Sequence, residues 1–148
     1  MYVRQAQGVA PEIVKFSGSG MYIDVRDKHY LLRPETVEAL FVLWRTTGKE
    51  KWRDAGWKIF EAIDRSCSVL KDGKHHGYSG LRDVTVTGQA QFDDTQQSFF
   101  LAETLKYLYL LFSPNDLIPL DKFVFNTEAH PLPVFQPSQE LLSVLSAV

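Results

Sequence analysis

A single cysteine, Cys67, occurs in the 148 residues, so no disulfide can form within the chain and its redox compartment stays unmarked. Basic residues are not in excess: 16 Lys and Arg face 18 Asp and Glu, the net charge is −2, and no basic stripe invites nucleic acid. No apolar run reaches the roughly 18 residues of a membrane span. The opening Met1-Tyr2-Val3-Arg4-Gln5-Ala6-Gln7 lacks the charged-then-apolar build of a signal peptide. No Asn-x-Ser/Thr acceptor occurs, since Asn126-Thr127 is followed by Glu128. No loop has EF-hand spacing, and Gly18-Ser19-Gly20 is too short for a phosphate cradle.

What is present is globular material, 45% hydrophobic and 13% aromatic, enough to argue against disorder. A free-standing domain of this length buries about 68–70% of its unfolded surface. Residues 1–33, with Gly8, Pro11, Gly18 and Gly20, read as irregular connection. Pro34 then suits a first helical turn, with Glu35 and Glu38 where a helix N-terminus favours negative charge. Val37, Leu40, Phe41 and Trp44 follow as one apolar stripe, which Thr46-Thr47-Gly48 closes. A second helix is expected over about 50–67, with Trp52, Ile59, Phe60 and Ile63 for packing; the short loop between the two implies an antiparallel hairpin.

Lys71-Asp72-Gly73-Lys74-His75-His76-Gly77 is turn-like, and Val84-Thr85-Val86-Thr87 is β-branched, which suggests a small strand or hairpin. A third helix is expected over 99–112, capped by Ser98. It is apolar nearly all round and therefore expected to be central. Beyond Ser113-Pro114-Asn115-Asp116 the chain should be extended through Phe123-Val124-Phe125, and Pro131, Pro133 and Pro137 forbid a regular helix. The stretch 139–148 is short and weakly amphipathic.

The carboxylates divide into plain and awkward cases. Glu35 and Glu38 fit dipole chemistry at a helix start, each worth about 0.3–1 kcal/mol, and Arg33 could be a surface partner. Glu103 lies inside an apolar helix between Phe99 and Tyr107, and a buried carboxylate without a partner is costly. It must either be paired or face a cavity, where an aromatic beside an acid suits a sugar. Thr127 and Glu128 fit a turn with local hydrogen bonds, although a threonine also offers hydroxyl and carbonyl oxygens to a hard cation. His75-His76 reads as solvated and Cys67 as a packing residue.

Four phrases carry a resemblance to a known family. Gly8-Val9-Ala10-Pro11-Glu12-Ile13, Arg33-Pro34-Glu35-Thr36-Val37-Glu38, Phe99-Phe100-Leu101-Ala102-Glu103-Thr104-Leu105-Lys106-Tyr107 and Phe125-Asn126-Thr127-Glu128-Ala129-His130-Pro131 resemble the class I α-1,2-mannosidases, glycoside hydrolase family 47. The resemblance implies an all-α fold, an (α/α)7 barrel of helical hairpins with short β-hairpin elements. Residues 1–135 would be roughly its C-terminal third, with a divergent tail at 136–148.

The implied activity is calcium-dependent, inverting hydrolysis of terminal α-1,2-linked mannose from high-mannose N-glycans on glycoproteins. Glu35 and Glu12 match catalytic acids, Glu35 as the base that acts on water. Arg33, Pro34, Glu38, Phe99, Glu103 and Glu128 match the substrate pocket, with Phe99 as stacking platform. Thr127 matches the Ca2+ ligand, through both its oxygens. The phrases Tyr78-Ser79-Gly80-Leu81-Arg82-Asp83-Val84 and Gln96-Gln97-Ser98-Phe99-Phe100 are closer to the Golgi branch than to that of the endoplasmic reticulum, which implies a Golgi lumen or membrane setting and a parent anchored upstream.

The family's general acid, a further catalytic aspartate and its disulfide lie in earlier hairpins with no counterpart here. The chain alone is thus expected to have little or no activity. Two competing readings stand: a non-catalytic mannose-binding or glycoprotein quality-control protein, and an inert fragment with exposed apolar faces.

Overall fold

The computed structural model of the chain describes residues 6–135 together with 137 and 138. Apart from those two positions, the expected tail at 136–148 lies outside the described residues. The first helix, α1 (Glu35–Thr47), starts where proline and the two glutamates placed it. Val37, Leu40 and Phe41 are buried along one face, with Trp44 packed against the same core. Gly48 ends the helix at φ 62°, and its N–H donates to the Trp44 carbonyl at 2.8 Å. Only glycine takes that left-handed conformation without strain. Gly48→Ala, with open space around the added methyl, should therefore lower stability by about 1–2 kcal/mol from backbone strain alone, read as the urea midpoint.

The second helix, α2 (Lys51–Cys67), completes the hairpin, and the Trp52 indole N–H donates to Thr47 Oγ1 at 2.9 Å across the connection. Ile59, Ala62, Ile63 and Cys67 are buried on its inner face. Gly56 allows a close approach to the third helix: a Cβ there would lie 2.3 Å from Leu111 Cδ2.

The expected helix over 99–112 is present but not uniform. A π-helical turn, Phe100–Thr104, leads into α3 (Leu105–Phe112). Such a turn is wider than an α turn and is found often at functional sites. It buries Phe100 and Thr104 together. The expectation of a helix covered all round does not hold within these residues, because Leu101 and Tyr109 are largely exposed. The core gathers α1, α2 and α3 around Leu32, Phe41, Ile63, Leu81, Val84, Phe100 and Leu111.

Among the described residues, three two-stranded antiparallel sheets decorate the helices. The hairpin β1 (Lys15–Ser17) and β2 (Gly20–Tyr22) corrects the reading of 1–33 as wholly irregular; Gly18-Ser19 forms its turn. The turn-like segment after α2 is also paired, as β3 (Ser68–Lys71) with β4 (Lys74–Tyr78). Asp72 and Gly73 both have positive φ, the backbone that a tight two-residue hairpin requires. The strand expected at Val84–Thr87 does not form, although its residues are β-branched. Asp83 Oδ1 accepts hydrogen bonds from the Thr85 N–H at 2.8 Å and from Thr85 Oγ1 at 2.6 Å, a local turn that outcompetes a ladder. The extended segment at Phe123-Val124-Phe125 is β5 (Phe123–Phe125), which pairs with β6 (Pro131–Pro133). Two prolines suit β6 because it is an edge strand.

Among the described residues the helices form a hairpin and one further helix, not a closed ring. No helix among them is long and apolar enough to cross a membrane.

Candidate functional site

The site begins at the turn that precedes α1. Leu32 is fully buried at φ 61°, and the reversal there delivers Arg33, Pro34 and Glu35 to the helix start. Arg33 Nε donates to Glu12 Oε2 at 2.8 Å, and the Leu31 N–H donates to Glu12 Oε1 at 2.6 Å. Both oxygens of Glu12 are thus held, and its side chain is far less exposed than that of Arg33. The Arg33 guanidinium also lies over the Phe99 ring, 5.5 Å from its centre. Glu12, Arg33 and Glu35 line one open cleft of about 560 Å³, together with His29, Tyr30 and Thr36.

A second group of acids gathers where the π turn meets α1 and the β5–β6 turn. Burial pushes the Glu103 carboxyl above its ordinary range, and the charges of Glu35, Glu128 and Glu38 push it the same way. Lys106 offsets part of this, but its Nζ donates to the Ala129 carbonyl at 2.8 Å. Of the two environments expected for Glu103, a partner or a cavity, the structure gives it no compensating arginine among the described residues and surrounds it with like charges. Burial likewise raises the Tyr107 hydroxyl, with Glu38 and Glu103 adding to it.

A carboxyl whose folded pKa lies above its ordinary 4.5 opposes folding once it ionises, and below that value it is neutral in both states. Glu103→Gln should therefore raise the melting temperature at pH 7 in the presence of a chelator. The gain should shrink as pH falls and vanish below about pH 4. Melting curves at pH 4 and 7 check this; an equal gain at both would remove the electrostatic explanation.

Thr127 and Glu128 occupy the exposed turn between β5 and β6. Asn126 shapes it: its Oδ1 accepts from the Glu128 N–H at 3.0 Å and from the His130 N–H at 2.8 Å. Ala129, buried at φ 57°, completes the reversal. Glu128 and His130 approach at 3.9 Å, but both are well exposed and such a pair adds little.

Among the described residues no three His, Cys, Asp or Glu side chains converge to hold a metal. The donor set nonetheless fits calcium, which takes oxygen ligands and accepts water as several of them. Thr127 offers two hard oxygens on an exposed turn, and Glu35, Glu38 and Glu128 place negative charge around Glu103 that Lys106 offsets only in part.

Other candidates fall away. Burial pushes the Cys67 thiol up to about 12, which leaves it a packing residue at neutral pH. His75 and His76 are exposed on β4, with His75 against the Tyr78 ring at 4.8 Å. Sequence reading passed over Thr104, Lys106, His29 and Tyr30. Lys106 had a usable signal, since it follows Glu103 at helical i,i+3 spacing; the others are placed only by tertiary structure.

The glycosyl hydrolase family 47 model matches residues 1–134. The chain is 50% identical over 135 residues to the mannosyl-oligosaccharide α-1,2-mannosidase IA of Drosophila melanogaster, covering 90% of this chain and 19% of that protein. To mannosidase IA of Sus scrofa it is 51% identical over 135 residues, 90% of this chain and 20% of the other. To the endoplasmic reticulum mannosyl-oligosaccharide 1,2-α-mannosidase of Homo sapiens the identity is 45% over 138 residues, covering 88% and 19%. The solved α-1,2-mannosidase from Trichoderma reesei superposes with a TM-score of 0.78 at 32% identity, over 90% of this chain and 31% of that one. The chain thus spans about a fifth of the length of the curated relatives it matches.

Proposed function

The chain belongs to glycosyl hydrolase family 47, and from that premise we propose that it is part of an enzyme that hydrolyses terminal α-1,2-linked mannose from high-mannose N-glycans. The observation that carries the reading is the meeting of Glu12, Arg33 and Glu35 along one cleft, on a chain about half identical to proteins named for this activity. The structural relative, matched over 31% of its length, supports the chain as roughly one third of an (α/α)7 barrel, the C-terminal third by motif order. The exposed Leu101 and Tyr109 fit faces that further helices would cover.

In the mechanism the chain's residues supply one side of the pocket. Glu35 takes a proton from water as it attacks the anomeric carbon from the face opposite the leaving group. That geometry inverts the centre and needs acid and base roughly 6.5–9.5 Å apart. Arg33, fixed by Glu12 and stacked on Phe99, orients the terminal sugar, while Glu38, Glu103 and Glu128 accept from its hydroxyls. Pro34 sets the turn that presents Glu35. Thr127 would hold calcium, which orients sugar hydroxyls when bound. The general acid belongs to the part of the enzyme beyond this chain. The loop phrases Tyr78 to Val84 and Gln96 to Phe100 favour the Golgi-type reading, and with it a Golgi location.

The test is release of mannose from an α-1,2-linked disaccharide. The full-length protein should release it and lose that activity with a chelator, whereas the 148 residues alone should show none above background. Glycan binding by the full-length protein without turnover would instead favour a lectin-like, quality-control role.

A further inference from the structure

We infer that Thr104 is a positioning residue of the active site, acting through the backbone of Leu32. The Thr104 hydroxyl is fully buried and donates to the Leu32 carbonyl at 2.6 Å, across 72 positions of sequence. Leu32 is itself fully buried and held at φ 61°, a left-handed conformation that a bulky side chain rarely adopts. A backbone strained in this way persists only where its surroundings impose it, and such strain clusters at functional sites. The hydroxyl is the observed constraint on that carbonyl.

The placement of this bond gives it a consequence. Leu32 is followed directly by Arg33, Pro34 and Glu35, so its φ sets where the guanidinium and the candidate base emerge. Thr104 directly follows Glu103 and closes the π-helical turn Phe100–Thr104. One buried bond therefore locks the element that carries Glu103 to the element that carries Arg33 and Glu35. The π turn brings Phe100 and Thr104 to the core side by side while Glu103 remains among the other glutamates. Thr104 touches no substrate in this scheme; it fixes the separation of groups that do.

The catalytic consequence rests on the proposed hydrolase reading, whereas the backbone consequence does not. The experiment compares Thr104→Val, Thr104→Ser and Ile63→Val in the full-length protein, with Ile63→Val as a core-loosening control away from the cleft. Thr104→Val should lower kcat on an α-1,2-linked disaccharide by about 10²-fold with KM changed far less, because a small misplacement of catalytic groups costs that much. Thr104→Ser keeps the donor and should stay within about threefold of wild type, and Ile63→Val should leave kcat unchanged. Hydrogen exchange over residues 31–36, where the Leu31 N–H is held by Glu12, should quicken at least tenfold in the valine variant and in neither of the others.

A wild-type protein that releases no mannose ends the hydrolase reading, and the exchange pattern then decides the Thr104 inference by itself. The inference is overturned by a valine variant that does not fold. It is overturned equally by one whose kcat or exchange matches Ile63→Val, or by a serine variant as impaired as valine.

Discussion

Replacing Glu35 by glutamine in the full-length protein is expected to lower kcat on an α-1,2-linked disaccharide by about 10³-fold, with KM nearly unchanged. The amide keeps the shape and the hydrogen-bonding reach of the acid but cannot take a proton from water. Glu35 is the acid best placed for that task. It opens α1, where the helix dipole favours negative charge, and it lines the same cleft as Arg33 and Glu12. Glu12 has both oxygens already engaged by Arg33 and the Leu31 amide, an arrangement that suits holding more than proton transfer. Glu103 has the opposite problem, since burial and three neighbouring glutamates favour its neutral form. Single-turnover kinetics on the glutamine variant separate chemistry from binding. A loss below tenfold would remove Glu35 from the role of base. A matching rise in KM would make it a binding residue instead.

That assignment was partly open to sequence reading, and α1 explains why. Pro34, two acids, an apolar stripe and Gly48 are all local signals, and each acts on the backbone near where it is written. The resemblance then selected Glu35 among several acids that dipole chemistry would explain equally well. What could not be read was long-range. The Glu12–Arg33 pair joins residues 21 apart and the Thr104–Leu32 bond joins residues 72 apart, with no periodicity to announce either. Val84 to Thr87 failed for another reason: β-propensity spoke for a strand, but Asp83 captured Thr85 and turned the chain. The hairpin β1–β2 escaped because three-residue strands are shorter than any pattern that can be recognised with confidence from alternation. Glu103 shows the boundary well. Its cost was evident from its apolar neighbours, but that its companions would be glutamates and not an arginine depended on three separate segments meeting.

Phe41→Ala should lower stability by about 3–5 kcal/mol and should also raise the calcium requirement of the full-length protein. Phe41 is fully buried, and its ring meets Tyr107 of α3 at 5.7 Å and Phe125 of β5 edge-on at 5.6 Å. The Arg45 guanidinium covers it at 4.9 Å, while donating to the carbonyls of Leu110, Asn115 and Leu117. One side chain thus joins the helix that carries Glu35 to the helix that follows Glu103 and to the strand that leads into Thr127. Truncation opens a cavity that these three elements cannot close without moving toward one another, so the cost should sit at the upper end for a core residue. Phe125 is the residue before Asn126, whose side chain shapes the Thr127 turn, so its loosening should reach the proposed calcium ligand. The calcium concentration for half-maximal activity should rise about tenfold, the size of effect seen when support behind a metal ligand is removed. Urea denaturation measures the first effect and calcium titration of activity the second. A large stability loss with an unchanged calcium requirement would show that the β5–β6 turn holds its shape through Asn126 and the Lys106–Ala129 bond alone.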